Sequence, residues 1–180
     1  MAELGATNLF DLPVGPTVYR VFLLPSPLQV DLSFTPAADF APAGPNWRLL
    51  FGSAGEPAHR EPRPAGEVVG YGALFALHAW TSIARGRLWQ AEHWVTRARD
   101  EALALAARRC GLRENEYRGV DDLPPDVLSR AAATRVGGLE PAELRRALRA
   151  VIELLLAEGG ADAAHVAERL RELLARPSTV

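Results

Sequence analysis

The feature that most constrains this chain is a change of hydrophobic period close to residue 66. Before it, apolar residues tend to recur at every second position; after it they recur at every third and fourth. A period of two builds strands whose alternate side chains face opposite ways, and a period near 3.6 builds helices with one apolar face. The chain therefore reads as α+β, a small mixed or antiparallel sheet followed by a helical bundle. Its 180 residues leave room for two such parts. The first is β-rich and covers 1–65; the second is helical and covers 66–180.

In the front part, residues 17–24 (TVYRVFLL) are β-branched, aromatic and nearly all apolar, the pattern of a strand covered on both faces. Pro25-Ser26-Pro27 follows as a turn poor in backbone donors. Residues 28–35 alternate: Leu28, Val30, Leu32 and Phe34 point one way, and Gln29, Asp31 and Ser33 the other. These two segments predict an antiparallel hairpin, and residues 47–51 (WRLLF) predict a shorter third strand. Residues 52–66 (GSAGEPAHREPRPAG) have the composition of a linker.

Helices are predicted at 67–85, 87–110, 125–136, 141–158 and 163–175. Gly86 separates the first two, and Gly111 stands where a left-handed cap costs little. Pro125 and Pro141 occupy first-turn positions. Gly137-Gly138 and Gly159-Gly160 interrupt the chain, and Asp162 is placed to cap the last helix. Leu88, Ala91, Val95, Ala98, Ala102 and Leu105 share one face of the second helix. Leu144, Leu148, Val151 and Leu155 share one face of the fourth. Together they predict the seam of an antiparallel bundle.

Several function classes are disfavoured. A formal net charge of −2 provides no bulk attraction to nucleic acid or to a membrane surface. The most apolar later stretch, 70–80, is too short to span a bilayer. The start, MAELGATNLFDLP, has neither the basic nor the continuous apolar region of a signal peptide. A single cysteine, Cys110, excludes an internal disulfide and fits a reducing compartment, so a cytoplasmic location is expected. Every basic side chain is arginine, which with the Ala, Gly and Pro content suggests a GC-rich coding genome. No metal-ligand cluster, nucleophile elbow, P-loop or dinucleotide fingerprint is present.

What remains is a short set of candidates. Asp31 lies mid-strand on the polar face; by pattern alone it is a solvent-facing carboxylate. Glu92, with Asp100 and Glu101 as lesser options, lies on an amphipathic helix where charges are ordinarily solvated and paired, Arg97 with Glu101 at i+4 and Arg99 two turns from Glu92. Trp80, Trp89 and Trp94 suit the core or a helix interface more than an acceptor pocket. His78 reads as a buried, satisfied histidine, and His59 and His165 as surface residues. Cys110 reads as an inert thiol at a helix end. Arg87 and His93 share the R-x₅-H spacing of a HEPN-type ribonuclease motif, a loose pattern common by chance.

Longer segments carry a resemblance. YRVFLLPSPLQVDLSFTPAADF, followed by GPNWRLLFG, resembles the distal palm strands of the nucleotidyltransferase superfamily. RGRLWQAEHWVTRARDEALALAARRCGL and RGVDDLP resemble the helical domain that follows the palm in bacterial proteins related to aminoglycoside and lincosamide nucleotidyltransferases. The likeness runs from about Asn8 to about Leu156. It implies transfer of a nucleotidyl group from an NTP to a small hydroxyl-bearing acceptor, with Mg²⁺ ions held by three carboxylates. Asp31 stands in the setting of the third carboxylate, which would also serve as general base. Glu92 is the alternative base, as a carboxylate near the junction of palm and helices.

The chain departs from that pattern. The first two carboxylates belong to a D-x-D strand after a Gly-Ser turn and helix, and no such segment precedes Asp31, which has only thirty residues before it. Gly52-Ser53 comes later and has no D-x-D after it. The expectation is a chain truncated at its front and inactive alone, with Mg²⁺ and NTP not bound by it unaided. Its partners would be an acceptor and either a second copy or the missing palm half, because the strand at 17–24 is expected to lack a neighbour. The alternative is a module that binds a small molecule or an assembly partner.

Overall fold

The computed structural model describes residues 2–42, 47–56 and 62–175. The fold is α+β, a three-stranded antiparallel sheet followed by helices. The chain divides into two compact units, Met1–Glu61 and Pro62–Val180.

The first unit is built on β1 (Thr7–Val14), β2 (Thr17–Leu23) and β3 (Gln29–Phe34), in that order across the sheet. Gly15-Pro16 joins β1 to β2. Gly15 has φ +57°, a value that residues with a Cβ seldom adopt, so the two-residue turn needs glycine there. The hairpin of β2 and β3 follows the alternation in the sequence, with Asp31 opposite Val21 and Phe22 opposite Val30.

Three expectations about this unit need correction. β2 is not an unpaired strand: β1, which the sequence pattern did not disclose, lies along its other edge. Only Val21 and Phe22 of β2 are buried, so the strand is not covered along both faces. Residues 47–51 form no strand; they are irregular, with Leu50 and Phe51 exposed. Trp47 packs edge-on against Phe40 at 5.8 Å, which accounts for the aromatic residue without a ladder.

The second unit contains α1 (Ala65–Ala84), α2 (Leu88–Arg109), α3 (Pro125–Ala133), α4 (Pro141–Gly159) and α5 (Ala164–Ala175). Gly86 and Gly111, at φ +67° and +68°, follow the ends of α1 and α2. Helix α3 stops at Ala133, earlier than its periodicity suggests. The Thr134 hydroxyl turns back to the Ala131 carbonyl at 2.6 Å, and Arg146 donates to the carbonyls of Ala133 and Arg135 at 2.6 and 2.7 Å. A side chain from α4 thus takes the bonds that a further helical turn would have supplied. Helix α5 is entered directly from a 3₁₀ turn, Gly160–Ala163. Asp162 lies inside that turn, and its carbonyl is 2.9 Å from Nδ1 of the exposed His165.

The core sits where α1, α2 and α4 meet. Ala91, Val95, Ala98 and Ala102 of α2 are sealed against Val68, Val69, Ala76 and Ala79 of α1 and against Leu144, Leu148, Val151 and Leu155 of α4. The seam inferred from residue spacing is this core. At Gly72 an added Cβ would lie 2.7 Å from Leu155 Cδ1, so α1 and α4 are closer there than alanine allows.

A carboxylate locks the same corner. Glu158, in the last turn of α4, has a side chain only 2% exposed and meets Arg109 of α2 at 2.8 Å and Arg130 of α3 at 2.9 Å. A negative charge at a helix C-terminus is disfavoured by the helix dipole, so both guanidiniums are needed to hold it. Replacing Arg109 and Arg130 together with Ala strands this charge and should cost roughly 3–5 kcal/mol. Glu158→Gln, which removes the charge with its need for partners, should cost clearly less. Urea unfolding followed by circular dichroism compares them; equal losses would mean that the arginines contribute packing rather than charge.

Glu143 makes a second tie. Its carboxylate takes two bonds from Arg146, each 2.7 Å, and the Gly137 N–H at 2.9 Å. Arg146 first and the Gly137 amide second hold its carboxyl down at about 2, from an ordinary 4.5. A lowered folded-state pKa contributes stability that is complete above pH 4.5 and is lost as the pH falls toward 2. The stability advantage of the native protein over Glu143→Gln should be present at about pH 6 and nearly absent at about pH 2. Denaturant midpoints at the two values test this, and an advantage that persists in acid would contradict it.

Candidate functional site

The sheet places its two aspartates on opposite faces. Asp31 is opposite Val21 and Asp11 opposite Arg20, and Arg20 and Val21 are consecutive on β2. Asp11 is committed to Arg20, with bonds of 2.8 and 2.5 Å, and this pairing lowers its pKa. Asp31 is exposed, and both its oxygens accept from the Gln29 amide, at 2.7 and 3.0 Å. Gln29 is neutral, so the Asp31 charge is not cancelled by this contact. The two carboxylates cannot share one ion, and no cluster of three metal-binding side chains occurs among the described residues. These residues do not fit a two-metal centre.

The helical candidates separate in a similar way. Glu92 is half-buried on α2 and accepts from the Thr96 hydroxyl one turn on, at 3.0 Å. Arg99 reaches the same hydroxyl, at 3.2 Å, rather than Glu92 itself. The expected pair of Arg97 with Glu101 is not formed. Arg97 lies 3.8 Å from Asp100, while Glu101, only 6% exposed, is bound by Arg63 at 2.7 Å. Burial decides the exchange, because Glu101 faces inward, where Arg63 arrives from the segment before α1. That bond raises the Arg63 pKa, and the Arg63 guanidinium also lies over the Tyr71 ring at 5.6 Å.

Asp100 and Glu101 border a cleft of about 430 Å³ between α2 and the connection running from α2 to α3. Its charged lining consists of Arg63, Arg97, Asp100, Glu101, Glu114 and Glu116, so carboxylates outnumber guanidiniums. Tyr117 closes one side, its hydroxyl donating to Asp100 and standing 3.5 Å from Arg99 Nε. Burial, opposed in part by Arg99 and aided by Asp100, raises the phenol pKa, so Tyr117 stays a proton donor at neutral pH.

The connection holding Tyr117 is strained. Glu116 and Tyr117 have φ of +56° and +59°, in the left-handed region that non-glycine residues avoid. The chain there is tightly folded on itself, for a Cβ at Gly119 would lie 2.7 Å from the Arg113 carbonyl oxygen. Arg108 helps to hold it, meeting Glu114 at 2.6 Å. Backbone strain of this kind gathers at binding sites. Tyr117 and Arg63 were not among the candidates from the sequence; Asn115 stands just before the bend, but the left-handed positions themselves are Glu116 and Tyr117, residue types that seldom adopt that conformation.

The other candidates are dispersed. Trp89 is 76% exposed and so is not a core residue. Trp80 is half-buried against the core, and Trp94 stacks on Phe75 at 5.5 Å. His78 is half-buried rather than enclosed, packing on the Trp94 ring at 4.7 Å. Arg87 and His93 are both exposed, and among the described residues no bond joins them. Cys110 is a partly buried residue at the end of α2. His59 lies outside the described residues. Among the described residues no helix is long and apolar enough to cross a membrane. Compared with models of known protein families and with curated proteins, the chain matches none.

Substituting Glu116 by Gly should stabilise the protein by about 0.5–1 kcal/mol. Release of left-handed strain, about 1–2 kcal/mol, exceeds the added freedom of the unfolded chain, about 0.4–1 kcal/mol. A lower thermal midpoint for Glu116→Gly would show that the loop stores no strain.

Proposed function

We propose that this chain serves nucleotidyl transfer as the part that holds the hydroxyl-bearing acceptor, and that it performs no transfer by itself. The likeness of its strands and helices to nucleotidyltransferases related to those acting on aminoglycosides and lincosamides motivates the reading. The observation that carries it is the cleft beside Asp100 and Tyr117. The four carboxylates at the cleft each meet an arginine but keep acceptor positions for a polyhydroxylated amine, and a phenol beside a carboxylate can both donate to and accept from its hydroxyls.

The expectation that the chain is inactive alone rests on the sheet. Asp31 has no second carboxylate on its face among the described residues, so on this reading the metal-binding charge, and the NTP with it, would come from another polypeptide segment. Such a segment would pair with the outer edge of β3, since β1 carries Pro13, which has no N–H to donate. In the completed enzyme Asp31 is the proposed general base, with Glu92 the alternative.

Kanamycin, a polyhydroxylated amine, should bind the purified chain in calorimetry. Asp100→Asn and Tyr117→Phe should each weaken that binding about tenfold. With ATP, GTP, CTP or UTP, Mg²⁺ and either kanamycin or lincomycin, pyrophosphate release should stay at the level of a blank. Release that scales with the amount of this protein would overturn the inactivity. Kanamycin binding that ignores both substitutions would overturn the acceptor site.

A further inference from the structure

A second cavity lies on the other side of Tyr117. It measures about 290 Å³ and is formed by α2, α3 and the connection between them. Its floor is apolar: Leu103 and Ala131 are buried, and Val120, Leu128 and Ala132 complete the walls. Two guanidiniums, Arg99 and Arg135, stand at this apolar slot. Arg99 contacts only neutral oxygens, the Tyr117 hydroxyl at 3.5 Å and Thr96 Oγ1 at 3.2 Å. Among the described residues no carboxylate lies within ion-pair distance of either guanidinium.

Arginines without a carboxylate partner are not rare among the described residues, Arg48, Arg85, Arg87, Arg113, Arg149 and Arg171 being others; what distinguishes Arg99 and Arg135 is that they share an apolar slot with no carboxylate in its lining. Arg20, Arg63, Arg97, Arg108, Arg109, Arg118, Arg130, Arg146 and Arg169 each meet a carboxylate. Two arginines left without one, beside a hydrophobic slot, form a receptor for an anion attached to an apolar body. The neighbouring cleft differs in having four carboxylates in its lining, each paired with an arginine.

We infer that the slot between α2 and α3 binds a small apolar carboxylate, its chain on Leu103, Val120, Leu128 and Ala131 and its carboxylate between Arg99 and Arg135. A carboxylate is the suited group because its two oxygens can each accept from one guanidinium, while the walls offer only the Tyr117 hydroxyl besides. This site is distinct from the acceptor cleft, since it takes an anion where the cleft takes a cation. Tyr117 is the wall common to both, so ligands at the two sites sense each other through its ring and hydroxyl.

The probe is octanoate, titrated into the intact chain at low salt by calorimetry, with octanol as the uncharged analogue of the same length. Octanoate should bind at least about tenfold more tightly than octanol. Arg99→Leu and Arg135→Leu should each lower octanoate affinity about tenfold and leave octanol unchanged. Ala132→Leu, at an exposed position, should weaken both by filling the slot. Circular dichroism checks that the variants are folded, and the comparison of octanoate with octanol on the native protein needs no variant. Equal binding of the two ligands, no octanoate binding at millimolar concentration, or octanoate binding indifferent to both arginines would each overturn the site. Kanamycin binding is read separately through Asp100, so failure of either site leaves the other standing.

Discussion

The helical unit depends on the burial of α2 between α1 and α4. Its inward face is a run of small residues, Ala91, Val95, Ala98 and Ala102, all fully buried. Small side chains let helix axes approach closely, and the large buried residues of α4, Leu144, Leu148 and Leu155, fill the space against them. Gly72 extends the same principle to the crossing of α1 and α4. Glu158 then fixes the far end of the arrangement, since its carboxylate is satisfied only while α2 and α3 keep Arg109 and Arg130 in place.

Both cavities described above border the remaining surface of α2. Arg97, Arg99, Asp100, Glu101 and Leu103 fall within two turns of it and border one cavity or the other. The connection from α2 to α3 covers this surface, and strain at Glu116 and Tyr117 accompanies the placing of a phenol between the two cavities. The helix is packed into the core and the connection is irregular. This division of labour is common in binding sites, where a packed scaffold positions residues and a less regular segment completes the contact.

The sheet unit has a different balance. Three strands suffice for an ordered ladder, but Phe10, Leu12, Tyr19, Leu23 and Phe34 stay exposed on it. Among the described residues its ion pair is Arg20 with Asp11, exposed and therefore weak in water. Asp31 is left as a charged group whose hydrogen-bond partner is a neutral amide. A sheet of this kind gains most from further burial, in keeping with the proposal that another segment completes it.

The five helices, their glycine and proline punctuation and the seam from Leu144 to Leu155 were legible in the sequence, because helix periodicity is local and a cap or a breaker acts on its own neighbours. The hairpin of β2 and β3 was legible for the same reason. β1 was not: TNLFDLPV carries Asp11 and Pro13, and it becomes a strand because β2 offers a ladder and Arg20 a partner. WRLLF failed in the opposite direction, having strand residues and no neighbour to pair with. Which arginine meets which carboxylate was likewise a tertiary outcome. Spacing joins Arg97 to Glu101, but burial turns Glu101 toward Arg63 and leaves Arg97 near Asp100. Tyr117 became a site residue only when the chain bent through two left-handed residues. Local pattern determines what a segment can form; charge pairing and cavities depend on residues far apart in sequence, and only the packed structure brings those together.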